Sequence, residues 1–341
     1  MRVMAGTKTL RASSMLMAGV ITLAVHAGPA CGGHSSPTVP SAPVSPTSTA
    51  PPASAGHSLV YANHVGMVVL VNAGLGDAGR PASSTPTRVW GWAGAEWRLI
   101  DSSGPPVRNL SGVTYDTRRQ TLIMHGGTYD LGRSYGETWE WSAGWRQVAS
   151  PGPGIRDHTQ LAYDADRGRA VLFGGSGEDP NVAFGDTWEF DGAAWTRAAS
   201  DGPPGRVHHA MQYDVNLRQV VLVGGNTPSG VTLGDVWAWD GARWAATGSM
   251  APRSHARMTF DRTLGGLVLV GGFTPGFDML INRGGLWTGV PSSSDPGPRY
   301  LTDIAYDERR RVLVLFGGVT PGGTVLNDTW EFDGRVWRRV G

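Results

Sequence analysis

The chain has 341 residues, of which 29 are basic and 28 acidic, so its formal net charge is +1. This balance gives no general attraction to nucleic acids or anionic membranes. The 50 glycines and 23 prolines are too many for a helical protein, and the 14 tryptophans are too many for a disordered one. The composition therefore indicates a turn-rich all-β protein with a large aromatic core.

The N-terminus is predicted to be an export signal. Three basic residues precede an apolar stretch at residues 15–25, which is short for a permanent membrane helix, and small residues follow as far as Cys31. The segment resembles a bacterial lipoprotein signal, which implies lipidation of Cys31. Gly28 stands where such signals carry leucine, so ordinary cleavage after Ala27 or Ala30 is the alternative.

Cys31 is the only cysteine, so the chain can form no internal disulfide and no multi-cysteine metal site. We assign residues 1–31 to the signal. Residues 32–56 are dominated by Ser, Pro, Thr and Ala and are predicted to form a disordered tether. Residues 57–341 are predicted to form the folded domain.

The folded part repeats six times. In five copies an aromatic–aspartate pair stands with its aromatic eleven residues before a Gly-Gly pair, and the aromatic–aspartate pairs are Tyr115-Asp116, Tyr163-Asp164, Tyr213-Asp214, Phe260-Asp261 and Tyr306-Asp307. Tyr61 begins a sixth copy, in which Asn72-Ala73 replaces the glycines. Successive Gly-Gly pairs are 46 to 50 residues apart, and each pair is followed by a motif typified by DTWEFDGAAW at residues 186–195.

Each copy reads as four strands. Apolar runs such as residues 170–173 predict strands buried on both faces. All 14 tryptophans fall on the third and fourth strands, which favours packing between neighbouring copies over ligand stacking. One copy cannot bury its aromatic face alone, so the copies are expected to stack into a ring.

These motifs resemble kelch repeats over residues 57–341. The resemblance implies an all-β, six-bladed kelch-type β-propeller with four antiparallel strands per blade. The expected blades span residues 57–104, 105–152, 153–202, 203–250, 251–296 and 297–341. Because His57 opens the first strand and Trp337 lies on the last, we expect the ring to close without a strand shared between the first and last blades.

Loop lengths and recurring residues suggest which face of the propeller binds a ligand. The longer connections, between second and third strands and between blades, share one rim, where binding residues usually lie. Seven residues before the aromatic, an arginine recurs as Arg108, Arg156, Arg206, Arg253 and Arg299. Five residues before it, a histidine recurs as His158, His208 and His255. A ring of such groups at the channel mouth would suit an anionic ligand, such as a carboxylate-bearing sugar or an acidic peptide loop.

A repeated scaffold contact is the alternative interpretation of the arginines. Their partners would be the acids of the third strands, namely Glu137, Asp186, Asp235, Asp278 and Asp328. One histidine per blade is poor zinc geometry, so no metal site is expected. The copper site of galactose oxidase, a protein with this type of propeller, needs a cysteine cross-linked to tyrosine, and Cys31 lies in the leader. No other cofactor is expected.

The resulting functional prediction is a binding scaffold in the cell envelope or outside the cell. We expect a monomer that recognises a protein or a glycan, does not bind nucleic acid, and contacts the membrane only through its N-terminal lipid anchor. No residue is marked as catalytic. The alternative is a carbohydrate-active enzyme, a mutarotase or lyase acting on an acidic sugar, with channel Arg, His and Asp side chains as acid–base groups.

Overall fold

A computed structural model describes residues 50–71, 85–130, 133–148, 151–179, 181–274 and 276–341. The chain divides into two compact units, Met1–Pro46 and Thr47–Gly341, and the described residues all belong to the second. The predicted signal, Cys31 and most of the predicted tether lie outside the described residues. Among the described residues, no helix is long and apolar enough to cross a membrane.

Six antiparallel four-stranded sheets confirm the predicted fold, an all-β six-bladed propeller. The first blade consists of β1 (Ser58–Ala62), β2 (Met67–Val71), β3 (Val89–Trp92) and β4 (Trp97–Asp101). The second consists of β5 (Gly112–Asp116), β6 (Thr121–His125), β9 (Thr138–Trp141) and β10 (Trp145–Val148), and a small hairpin, β7 (Thr128–Asp130) and β8 (Arg133–Ser134), lies between β6 and β9.

The next two blades follow the same order. The third consists of β11 (Gln160–Asp164), β12 (Arg169–Phe173), β13 (Thr187–Phe190) and β14 (Trp195–Ala199). The fourth consists of β15 (Ala210–Asp214), β16 (Gln219–Asn226), β17 (Thr232–Trp239) and β18 (Trp244–Ser249).

The last two blades complete the ring. The fifth consists of β19 (Arg257–Asp261), β20 (Gly266–Val270), β21 (Met279–Arg283) and β22 (Leu286–Gly289). The sixth consists of β23 (Asp303–Asp307), β24 (Val312–Val319), β25 (Val325–Phe332) and β26 (Trp337–Arg339). The first strand of every blade contacts the first strands of both neighbours, so these six strands surround the central channel.

The core lies between the blades. In β20 every residue is buried, and alternate side chains serve different neighbours. Val268 and Val270 pack in the cluster shared with the sixth blade, whereas Leu267 and Leu269 pack in the cluster shared with the fourth. This two-sided burial explains the unbroken apolar runs in the sequence.

The Gly-Gly pairs occur where the next blade's backbone approaches closely. Both glycines of each pair have positive φ, for example 70° at Gly174 and 94° at Gly175. A Cβ on Gly174 would lie 2.7 Å from the carbonyl oxygen of Arg206 in the next blade, and the Gly175 N–H donates to that same oxygen at 2.9 Å. The pair therefore belongs to the blade-to-blade joint.

The tryptophans also join blades. All 14 lie on third and fourth strands, as predicted. On the fourth strands, three indole N–H groups donate to a threonine hydroxyl of the preceding blade, and these pairs are Trp97–Thr329 at 2.9 Å, Trp195–Thr138 at 2.8 Å and Trp244–Thr187 at 2.8 Å. Trp195 is only 6% exposed.

The ring closes by hydrogen bonds between the first and last blades. The N–H of Gly56 donates to the carbonyl of Leu301, and the N–H of Ser54 donates to the carbonyl of Leu326, both at 2.9 Å. The outer strand of the last blade is β26, from the C-terminus, so the described strands close the ring without sharing a strand, as expected. Ser54 and Ala55 are buried, so packing begins a few residues before residue 57, inside the segment assigned to the tether.

Candidate functional site

The five recurrent arginines are buried and paired with acids. Their exposed fractions lie between 0% and 4%. The shortest ion-pair distances are 3.0 Å for Arg108–Glu137, 3.0 Å for Arg156–Asp186, 2.6 Å for Arg206–Asp235, 3.5 Å for Arg253–Asp278 and 2.8 Å for Arg299–Asp328. These are the five scaffold partners that the sequence named as the alternative to ligand binding.

Arg299 shows how such a contact works. Its Nη1 donates to Asp328 Oδ1 at 2.8 Å and to the carbonyl of Gly317 at 3.0 Å, and its Nη2 donates to Asp328 Oδ2 at 3.1 Å. The fork therefore ties the segment before β23 to the end of β24 and to β25. A guanidinium held in this way offers little to a ligand.

In each blade, one residue lies five positions before the aromatic of the aromatic–aspartate pair, or before Tyr61 in the first blade. These six residues form a ring at one channel mouth. All six have left-handed φ, between 53° and 68°, and they are Gly56, Leu110, His158, His208, His255 and Leu301. Backbone hydrogen bonds of 2.9 Å connect successive blades here, from Leu110 to Gly56, from His158 to Leu110 and from His255 to His208. Left-handed φ is uncommon outside glycine, so five such residues around one opening mark a special backbone position.

A row of five rings lies at this mouth, and we call it the mouth cluster. It consists of His158, His208, His255, Phe273 and Tyr300. Ring centroids are 4.4 Å apart for His158–His208, 3.6 Å for His208–His255, 4.7 Å for His255–Phe273 and 4.1 Å for Phe273–Tyr300. The last pair is stacked, and Phe273 is 55% exposed. The structure thus brings the three predicted histidines together with two aromatic residues that the sequence did not single out.

The mouth cluster is not cationic in the expected way. Burial lowers the pKa of His255 to about 3, and the charges of His158 and Arg257 act in the same direction. Burial likewise holds the pKa of His208 well below the ordinary value. These two imidazoles are therefore neutral near neutral pH. With the five arginines buried as well, this mouth does not present the predicted cationic ring.

One histidine of the mouth cluster is fixed by a carboxylate. His158 Nδ1 lies 2.6 Å from Asp157 Oδ1, and the hydroxyl of Ser176 donates to the same oxygen at 2.7 Å. Burial opposes ionisation of Asp157, but the hydrogen bonds from His158, Ser134 and Ser176 outweigh it and lower its pKa. The carboxylate thus orients the outermost imidazole of the row.

Phe273 departs from the repeat. It directly follows the Gly-Gly pair, where the other regular copies carry Thr128, Ser176, Asn226 and Val319. Those four residues form backbone bridges with the residue six positions before the aromatic of the same blade's aromatic–aspartate pair. Phe273 donates its N–H to the corresponding residue, Ser254, at 3.1 Å, and its ring stacks on Tyr300 of the sixth blade. A comparison of this position across the repeat copies would have identified Phe273 as a candidate site residue from the sequence.

The central channel holds a cavity of about 190 Å³. In each blade, the lining residues lie between three positions before and two positions after the aromatic residue of the aromatic–aspartate pair, or Tyr61 in the first blade. The last of these positions belong to the short turns between first and second strands, where Asn63, Thr117, Arg262 and Glu308 are exposed. The cavity therefore opens on the rim of the tight turns, opposite the mouth cluster. The ion pair Arg262–Glu308, at 2.8 Å, lies at this opening.

An unrepeated charged pair lines the cavity. Three residues before the aromatic, four blades carry Ser, Gly, Gln or Ala, whereas the fifth carries Arg257 and the sixth Asp303. Arg257 Nε lies 3.8 Å from Asp303 Oδ1, and both side chains are at least 86% buried. The carboxylate also accepts backbone N–H bonds of 2.8 Å from Leu59 and Ile304. Burial raises the pKa of Asp303 to about 6 against the opposing charge of Arg257.

The rest of the cavity lining contains both apolar and polar side chains. Apolar side chains such as Leu59 and Met211 alternate with Thr114, Gln160 and Gln212. The channel is therefore neither a dry plug nor a pocket of many charged groups. Within the described residues, no group of three or more His, Cys, Asp or Glu side chains is placed to hold a metal ion.

Comparison with known proteins supports the fold. No protein-family profile matches the chain, and no curated protein matches its sequence. Among solved structures, that of YjhT matches with a TM-score of 0.65 at 13% sequence identity, covering 86% of this chain and 99% of YjhT. At such low identity the likeness shows a shared β-propeller fold alone.

Proposed function

We propose that the chain is an exported binding scaffold of the kelch type, anchored in the cell envelope, that recognises a ligand through the mouth cluster on the rim of the longer loops. The observation that carries the proposal is the exposed Phe273, stacked on the half-buried Tyr300 beside three imidazoles. The glycan ligand expected from the sequence fits this surface better than an anionic peptide does.

The chemistry of the mouth cluster supports an uncharged ring as the bound group. An exposed aromatic face offers apolar contact, and imidazole nitrogens and the Tyr300 hydroxyl offer hydrogen bonds that fix orientation. His208 and His255 are neutral, and the recurrent arginines are themselves buried and paired with acids, so neither group supplies positive charge. An uncharged sugar ring matches this combination, whereas the sequence suggested an anionic ligand, either a carboxylate-bearing sugar or an acidic peptide loop.

Replacing Phe273 tests the proposal. The full-length chain is screened on a glycan array, and the affinity of the best glycan is then measured for Phe273→Ala. We expect a loss of at least about tenfold, because an aromatic anchor in the centre of a binding surface contributes more than most contacts.

Leu286→Ala is the matched control. Leu286 is 67% exposed on the outer strand of the same blade, so its truncation should leave glycan affinity unchanged. Equal affinity of Phe273→Ala and the wild type would contradict the proposal. Binding only to proline-rich or aromatic peptides on a parallel array would retain the mouth cluster as the site and change the ligand class.

The anchor is tested separately. If Cys31 carries the lipid, then Cys31→Ser should abolish labelling with a radioactive fatty acid and release the folded chain into the soluble fraction. Unchanged labelling of the serine variant, or a wild-type chain that is never labelled, would contradict lipid anchoring and leave conventional cleavage as the alternative.

A further inference from the structure

Arg257 differs in its hydrogen bonds from four of the five recurrent arginines, since Arg108, Arg156, Arg206 and Arg299 each donate to an acid. It is 8% exposed, and its only ion pair with a described residue is the 3.8 Å contact with Asp303. Within the described part of the chain, no side-chain hydrogen bond of Arg257 is formed, whereas Arg299 makes bonds to an acid and to backbone carbonyls. A guanidinium carries five N–H donors, and those of Arg257 remain accessible on the cavity wall, so they are available to a bound group.

The neighbouring cavity wall also carries polar side chains that make no hydrogen bond to the protein. Among the described residues, Thr114, Gln160, Gln212 and Thr259 line the same cavity and have no side-chain hydrogen bond to another protein group. Asp303 is the exception, because two backbone N–H groups hold its carboxylate in place beside Arg257. The cavity therefore combines the Arg257 guanidinium, the fixed carboxylate of Asp303 and several amide and hydroxyl groups that are available for hydrogen bonds.

We propose that this cavity is a second binding site, distinct from the mouth cluster, for a small α-hydroxy or α-amino carboxylic acid. The carboxylate of the ligand pairs with the Arg257 guanidinium, and its α-hydroxyl or α-ammonium group donates to Asp303. The threonines and glutamines accept the remaining polar groups.

The geometry favours this class over a simple anion. Asp303 lies 3.8 Å from Arg257, so a bare carboxylate would approach a second carboxylate as well as the guanidinium. A donor on the adjacent carbon converts that repulsion into a hydrogen bond. The cavity of about 190 Å³ limits the ligand to a small molecule, and the exposed Arg262 and Glu308 at its opening leave access from solvent.

Three probes of similar shape test the site: propionate, lactate and alanine, which differ only in the group on the α-carbon. Binding to the full-length chain is measured by ligand-observed NMR and by calorimetry. We expect dissociation constants of about 10 mM or tighter for lactate or alanine, and at least about tenfold weaker binding of propionate. Failure of all three to bind, or equal binding of all three, would overturn the proposal.

Variants locate the bound probe. Arg257→Gln should abolish binding of every probe, and Asp303→Asn should remove the preference over propionate. Arg218→Gln, which alters an exposed arginine outside the cavity, should change neither. If a cavity variant does not fold, a crystal structure with the bound probe decides. A carboxylate on Arg257 supports the site, and a probe bound elsewhere refutes it. Loss of glycan binding in Phe273→Ala with these affinities intact would show that the two sites are independent.

Discussion

At the residue scale, contacts with acids separate the recurrent arginines from Arg257. Three of the recurrent ones, Arg156, Arg206 and Arg299, are forked onto acids, as in Arg206, whose Nη1 and Nη2 lie 2.6 Å and 2.8 Å from Asp235. Arg257 occurs once and has no such fork. Residues that recur in most blades therefore build the ring, whereas residues found in one blade only are the candidates for ligand binding.

Asp303 should give the chain an unusual pH dependence. Its native pKa, about 6, lies above the ordinary value of 3.8 because of burial. The native state then holds this proton more tightly than the unfolded state, so the wild type should gain stability relative to Asp303→Asn as the pH falls from about 7 to about 4. The gain should be about 2–3 kcal/mol, measured by urea unfolding at each pH.

Asp328→Asn is the control of opposite sign. Burial opposes ionisation of Asp328, but the hydrogen bonds from Arg299 and Trp330 lower its pKa. Relative to this variant, the wild type should lose stability as the pH falls through the lowered pKa. A stability difference between wild type and Asp303→Asn that is flat from pH 7 to pH 4 would show that Asp303 titrates normally.

Some of the site was visible in the sequence and some was not. The repeat named the arginines and their five acids, because a contact made in every blade leaves matched spacings. The charged pair was missed because Arg257 and Asp303 lie in different blades and neither belongs to a motif. Comparing the six copies position by position would have flagged both, but only the ring geometry brings them within 3.8 Å. The stacking of Phe273 on Tyr300 was hidden for the same reason.

At the element scale, the third-strand residue directly before the strand's first tryptophan, or before Leu280 in the fifth blade, decides whether the next blade's outer indole N–H has an acceptor. Where it is threonine, as in Thr138, Thr187 and Thr329, it accepts the N–H of the following blade's outer tryptophan. In the other three blades this residue is Val89, Val236 or Met279, and the corresponding indole nitrogens of Trp145, Trp287 and Trp337 are buried without a partner among the described residues.

Thr329→Val therefore isolates one inter-blade hydrogen bond. The substitution keeps the shape and removes the acceptor of Trp97, which is 5% exposed at the joint between the last and first blades. We expect a loss of about 1–3 kcal/mol in the free energy of unfolding, since a buried donor is left unpaired.

The reverse change is the matched control. Val236 packs in the same cluster as Trp287, so Val236→Thr supplies an acceptor that this joint lacks. Its free energy of unfolding should equal or exceed that of the wild type, although a buried hydroxyl ordinarily destabilises a core. Equal destabilisation by both substitutions would show that the hydroxyl–indole contact contributes nothing.

At the scale of the whole molecule, the joint between the fifth and sixth blades carries the departures from the repeat. Phe273 and Tyr300 lie at one channel mouth, Arg257 and Asp303 inside the channel, and the exposed pair Arg262–Glu308 at the other mouth. Because recurrent contacts elsewhere hold the ring together, these departures are available to bind a ligand.

The division between scaffold and site rests on the recurrent arginines, and the free energy of unfolding of Arg299→Ala tests it most directly. Arg299 and Asp328 have side-chain exposures of 3% and 9%, so removal of the guanidinium leaves a buried carboxylate unpaired. We predict a loss of about 3–5 kcal/mol by urea unfolding at neutral pH, and a loss within about 0.5 kcal/mol for Arg218→Ala, whose side chain is 73% exposed. A loss below about 1 kcal/mol for Arg299→Ala would mean that the recurrent arginines do not hold the ring together, and would contradict the account.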